Sequence, residues 1–152
     1  MSNQEIEVVL EALVEELSPF LQERGFKRRG KKTFFNVMNE CVQEMNIQFR
    51  RVKGEEAGYV EACPNITFID LEKMAASLKG ENYKKGWPTA AANIGNLQPQ
   101  KEFIEWPLTL ATNTSSLTET IKGYIVRNAE PFWKCYSTLE TLIKGYEEGD
   151  TR

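Results

Sequence analysis

Four polar side chains alternate with apolar ones in one short segment and are the first candidates for a binding surface. They are Glu44, Asn46, Gln48 and Arg50. Because side chains two residues apart in a strand point to the same face, the four would form one polar row. Their amide and guanidinium groups could recognise a ligand or a protein partner. Alternatively, the row is a solvated sheet face or is bonded to a covering loop.

Trp106 is a further candidate binding residue because it could close a pocket with this row. A deep pocket lined by the row and by Trp106 would favour a small-ligand domain or an enzyme, with residues 80–100 as its lid. A flat surface at the same place would favour a binding module. The sequence leaves this choice open.

A second candidate site is a group of basic side chains, proposed to bind an anion. They are Lys27, Arg28, Arg29, Lys31 and Lys32, and Phe34 and Phe35 follow them. Such a group could neutralise nucleic-acid phosphates while a ring stacks on a base. Without these five residues, however, 14 basic side chains remain against 22 acidic ones. We therefore expect the cations to solvate a turn after a helix C-terminus, where they offset its partial negative charge.

The residues that most catalytic sites require are missing from the chain. It has no histidine, which excludes Ser-His-Asp and Cys-His catalysis and imidazole metal sites. The two glycine-rich phosphate-binding motifs, GxxxxGK[ST] and GxGxxG, do not occur in the sequence. Cys41, Cys63 and Cys135 form no CxxC pair and are predicted to be reduced thiols, the first two of them buried. We predict no catalytic residue, no metal site and no cofactor.

The polar row depends on a predicted β-hairpin formed by residues 33–38 and 41–51. If Asn39 and Glu40 form the loop, Phe34 faces Met45 on the paired strand. Met45, Ile47 and Phe49 then form the apolar face, and the polar row points away from it.

Periodicity and turn residues predict the remaining elements. Residues 4–24 carry an apolar stripe typical of a helix, which Pro19 should kink or restart with Ser18 as the new N-cap, and Gly25 should end this helix with Phe26 folded back. Four elements follow the hairpin: a strand at 59–69 that contains Pro64, a short helix at 70–78 capped by Asp70, a long loop at 80–100 and a strand at 101–108.

The C-terminal part is predicted to be one long helix. Ser116 begins a capping-box sequence, and Pro131 should kink or split the helix near residue 130. Residues 147–152 are expected to be a flexible tail. The order of elements favours a single α+β domain over residues 1–152, with helices on one face of an antiparallel sheet of about four strands.

The bulk composition narrows the class of protein. No apolar run approaches the length that spans a bilayer, and no signal peptide is predicted, so we expect a cytoplasmic protein without a membrane partner. With a net charge of −3, the chain suits a non-enzymatic module that binds another protein, such as a basic toxin that it neutralises. Nucleic-acid binding ranks last among the alternatives, and the oligomeric state stays open.

Two segments resemble a known family. They are "LSPFLQERGFKRRGKKTFF" and "VQEMNIQFRR", which are similar to motifs of the domain-of-unknown-function family numbered 4304. The matching positions are Gly25, Phe26, Lys27, Arg28, Gly30, Phe34, Phe35, Val42, Gln43, Asn46 and Gln48. The resemblance implies helices on an antiparallel sheet and implies no activity.

Overall fold

The computed structural model describes residues 3–82, 88–98 and 101–147. Its helices are α1 (Asn3–Glu23), α2 (Ile69–Leu78), α3 (Thr114–Tyr124), α4 (Glu130–Tyr136) and α5 (Leu139–Glu147). Its strands are β1 (Lys27–Arg29), β2 (Thr33–Val37), β3 (Val42–Arg51), β4 (Ala57–Thr67), β5 (Ala90–Ala91) and β6 (Trp106–Thr109). A 3-10 turn spans Ile94–Leu97, and a π-helical turn spans Ile125–Ala129.

The strands form one antiparallel sheet in the order β1-β2-β3-β4-β5, and β6 pairs with β4 beside β5. The apolar core lies between one face of this sheet and the helices, chiefly α1, α3 and α4. The predicted α+β class is confirmed. The predicted count of about four strands was too low, because β1 and β5 have three and two residues and are too short to show a period.

The β2–β3 hairpin has the predicted register. Phe34 lies opposite Met45, and Asn36 lies opposite Gln43. Met45 and Ile47 are buried, whereas Gln48 and Arg50 are exposed. The alternation that places the polar row away from the core is therefore confirmed.

The end of α1 explains the turn that carries the basic residues. The Phe26 N–H donates to the Leu21 carbonyl at 3.0 Å, and the Gly25 N–H donates to the Gln22 carbonyl at 3.0 Å. This is the predicted Schellman ending, and Gly25 has the positive φ of 91° that it needs. Phe26 is buried with its ring 4.7 Å from that of Trp133. The helix thus stops at a fixed point, and β1 begins directly after it.

Two predicted helix caps were wrong, and one of the two alternatives for Pro19 is excluded. α1 continues through Pro19 and does not restart there, because its apolar stripe is buried on both sides of that residue and holds the helix together. α2 begins at Ile69, so Asp70 lies in its first turn and does not cap it. α3 is capped by Asn113, whose Oδ1 accepts from the Ser116 N–H at 3.0 Å. An Asn at this position caps a helix as well as Ser does.

The C-terminal region is divided more finely than one kinked helix. The π-helical turn separates α3 from α4, and Pro131 lies at the start of α4, where its missing N–H costs least. Within 80–100, the structure contains β5 and the 3-10 turn, while 83–87 and 99–100 lie outside the described residues. The next strand is β6, shorter than the predicted 101–108. Most of the expected tail, 148–152, also lies outside the described residues.

Pro64 lies inside β4, at the point where β4 changes its outer partner. β6 pairs with β4 up to Val60, and β5 pairs with it from Asn65. The Pro64 carbonyl accepts from the Ala92 N–H at 3.3 Å, so its backbone faces the outer side and not β3. The ring nitrogen therefore removes no hydrogen bond between β3 and β4.

Glu56, in the β3–β4 turn, fixes the start of α1. Its carboxylate accepts from the Ile6 N–H and from Arg51 Nη2, both at 3.0 Å. We expect Glu56→Ala to lower the free energy of unfolding by about 1–2 kcal/mol, because a first-turn N–H loses its anionic acceptor. Urea unfolding measures this loss. Glu55→Ala is the matched control, and an equal loss in both variants would contradict the assignment.

Candidate binding surface

The polar row lies on the face of the sheet that turns away from the core. Asn46 is half-buried, and Gln48 and Arg50 are exposed. On the neighbouring strand β4, Glu61 lies opposite Gln48 and Tyr59 lies opposite Arg50. These five side chains point to one side of two paired strands, and we call them the polar face.

Arg50 is held in place and still accessible. Its Nη2 lies 3.0 Å and 3.2 Å from the two carboxylate oxygens of Glu105. Its guanidinium carbon lies 4.8 Å from the centre of the Tyr59 ring, in cation–π distance. The Arg50 side chain nevertheless remains 65% exposed. A partner would therefore meet an arginine that is already oriented.

Trp106 does not join the polar face. It pairs with Val60, which is fully buried in the core, and directly paired residues point to the same side of a sheet. Its ring packs on Tyr124 of α3 at 5.6 Å, edge to face. Trp106 and the polar row are thus separated by the sheet itself. The predicted pocket lined by both the polar row and Trp106 therefore cannot form.

Glu44, at the other end of the row, is committed to an internal ion pair. It is buried, with 7% of its surface exposed, and its Oε2 accepts a hydrogen bond from Arg29. The Arg29 guanidinium also lies 5.4 Å from the centre of the Phe35 ring. Since both charges already have partners, Glu44 supports the sheet and is not part of the accessible surface.

The five basic residues do not form one patch. β1 directs Arg28 to the α1 side, where it donates to Glu15 Oε1 at 2.6 Å and to the Lys31 carbonyl at 2.9 Å. Arg29 points the opposite way, to Glu44. In the described part of the chain, the cations of this group without an ion pair are its lysines: Lys27, Lys31 and Lys32. Two of the five residues proposed for the anion site, Arg28 and Arg29, are therefore already paired with carboxylates of the protein itself.

Three residues at the surface were missed by the sequence analysis. Tyr59 and Glu61 could have been found, because their own alternation in β4 places them on the outer face once the β3–β4 register is known. Glu105 could not, because it precedes β6 and no periodicity connects it with Arg50.

Cys63 lies beside the polar face, opposite Asn46. Burial, a hydrogen bond that the thiol donates to Glu61 Oε1 at 3.2 Å, and the negative charge of Glu61 together raise the pKa of the Cys63 thiol to about 12, and burial is the largest of these causes. Cys41 also has a raised pKa, chiefly because it is buried. Neither thiol is a nucleophile at neutral pH, since the thiolate is the reactive form.

We expect iodoacetamide to label Cys63 about 30-fold more slowly at pH 8 than an ordinary exposed thiol, because the shift of its pKa from 9.0 to about 12 removes most of the thiolate and the greater nucleophilicity of the more basic thiolate offsets only part of that loss. Its labelling rate should keep rising with pH up to about 12. Timed alkylation with mass spectrometry measures the rate, and the exposed Cys135 is the internal reference. Glu61→Gln should accelerate labelling by removing the nearby negative charge. Equal rates at Cys63 and Cys135 would contradict the assignment.

The described residues contain no group of three or more His, Cys, Asp or Glu side chains placed to hold a metal ion. Among them there is also no helix of the length and apolarity that crossing a membrane requires. The fold and surface define an α+β domain with an exposed polar sheet face. No family model, no curated protein and no solved structure matches the chain.

Proposed function

We propose that this protein is a non-enzymatic binding module that captures another protein on its polar face. The observation that carries the proposal is the exposed Arg50 stacked on Tyr59 and fixed by Glu105. Arginine and tyrosine are enriched among the residues that dominate protein interfaces. An arginine that is oriented before binding loses less conformational entropy when a partner arrives.

A protein-neutralising role, of the kind that immunity proteins have toward toxins, is the concrete form of this proposal. The chain carries a net charge of −3, which favours electrostatic capture of a basic partner. Membership of domain-of-unknown-function family 4304, which the motifs suggest, would be compatible with this role and adds no activity to it.

Site-specific photocrosslinking in the cells that produce the protein tests the proposal. A photoreactive residue at Gln48 should give one crosslinked protein of defined mass, and the same residue at the exposed Glu119 of α3 should not. Adding Arg50→Ala to the Gln48 probe should abolish the product. A product that survives Arg50→Ala, or no product at Gln48, would contradict the polar face as the binding surface.

A second candidate function is the binding of a small hydrogen-bond donor near Glu44. Asn65, which lies opposite Glu44, is buried, and its Oδ1 has no hydrogen-bond partner among the residues that the structure describes. A buried acceptor of this kind costs about 1–3 kcal/mol unless a donor reaches it. A thermal-shift screen of small amines, amides and alcohols tests this function. A compound that stabilises the wild type but not Asn65→Leu would support it, and a screen without such a compound would oppose it.

A further inference from the structure

A groove lies on the side of the protein opposite the polar face, between α1 and the turn that follows β1. Its volume is about 490 Å³. The lining residues are Glu7, Val8, Leu10, Glu11, Val14, Lys31 and Lys32. Leu10 and Val14 lie beneath the groove and are buried, so its accessible apolar surface comes from Val8, which is 64% exposed. The groove therefore combines apolar surface with charges of both signs.

The two walls of the groove carry opposite charges that do not neutralise each other. Glu7 and Glu11 lie on the α1 wall, and Lys31 and Lys32 lie on the other wall. Within the described residues, none of these four side chains forms an ion pair. By contrast, Glu15 of α1 and Arg28 of β1 do bridge these two elements, at 2.6 Å. The unpaired charges are thus available to an external partner.

A surface with both charges beside an exposed apolar side chain is complementary to itself. In a two-fold symmetric dimer, each residue that contacts a second one is contacted by it in return. The acidic wall of one copy would then meet the lysines of the other, and the exposed Val8 side chains of the two copies would be buried in the contact. We propose that the groove is the interface of a homodimer, with a second copy of this chain as its occupant.

The dimer is expected to be weak. Seven residues line the groove, which is fewer than the roughly 20–30 per side of a stable interface. A dissociation constant of about 10 μM to 1 mM is the range for such a contact. Salt should weaken it, since exposed charges contribute to the attraction. The polar face lies on the other side of the sheet and stays accessible in the dimer, so this inference is independent of the proposed function.

Sedimentation equilibrium of the full chain, from about 1 μM to 1 mM, tests the dimer. The wild type should move from 17.4 kDa toward twice that mass as its concentration rises. The double variant Lys31→Glu/Lys32→Glu should raise the dissociation constant at least tenfold, and Glu7→Lys/Glu11→Lys should do the same. An equimolar mixture of these two variants should recover the dimer, because each supplies the charges that the other has reversed.

The control is Lys73→Glu/Lys79→Glu, which reverses two exposed lysines that do not line the groove. It should dimerise like the wild type, and thermal melts should show that all the variants are folded. A wild type that stays monomeric to 1 mM, a dimer that tolerates the groove reversals, or a mixture that stays monomeric would overturn the proposal.

Discussion

A Gly95→Ala variant is expected to lose about 3 kcal/mol of stability or to fail to fold, because the backbone leaves no room for a methyl group. A Cβ at Gly95 would lie 2.0 Å from the Glu102 carbonyl oxygen and 2.6 Å from Ile104 Cγ1. The first of these is a main-chain atom, so relief requires moving the whole segment that follows the 3-10 turn. Urea unfolding, monitored by circular dichroism, measures the loss.

Gly123→Ala is the matched control for this substitution. Its Cβ would lie 2.9 Å from Arg127 Nη1, the movable end of an exposed side chain. Since Gly123 lies in α3, alanine should be neutral there or stabilise the helix by up to about 1 kcal/mol. If Gly95→Ala unfolds at the same urea concentration as the wild type, the close approach is wrong.

The second large effect is expected for Asn93→Ala, at about 3 kcal/mol, because three buried or half-buried backbone groups lose their partner. Asn93 Oδ1 accepts from the N–H groups of Gly95 and Ile104, both at 2.9 Å. Asn93 Nδ2 donates to the Ile104 carbonyl at 2.7 Å. This one side chain therefore joins the 3-10 turn to the segment that leads into β6.

Asn96→Ala is the control, three residues along the same turn. The Asn96 side chain is half-buried and makes no hydrogen bond among the described residues, so its loss should cost less than about 0.5 kcal/mol. Equal destabilisation by the two substitutions would show that Asn93 is not the residue that orders this segment. Urea unfolding compares both variants with the wild type.

Gly95 and Asn93 also show where prediction from the sequence fails. The glycines and prolines of residues 80–100 predict a loop, and local propensity offers nothing more. The order within this segment comes from bonds between distant residues, such as the 3.0 Å contact from Asn128 Nδ2 to the Ile94 carbonyl. The hydrophobic periodicity of a sequence does not predict such contacts, because they depend on the tertiary fold.

The β2–β3 hairpin could be predicted because its information is local. A loop of Asn39 and Glu40 fixes the register, and the register fixes which side chains share a face. The candidate surface was predictable to the same extent: Gln48 and Arg50 are exposed as expected. Trp106 was grouped with them wrongly, because the pairing of β6 with β4 cannot be derived from either strand alone.

Pro64 favours one register of the pairing between β3 and β4, the two longest strands. If β4 slipped by one residue along β3, its side chains would exchange faces, and the nitrogen of Pro64 would turn toward β3. That arrangement would lack a hydrogen bond in the centre of the sheet. The bare nitrogen is harmless only in the observed alignment, where it points to the side on which Ala92 bonds the Pro64 carbonyl. Pro64 thus destabilises the shifted register, in which Tyr59 and Glu61 would point into the core.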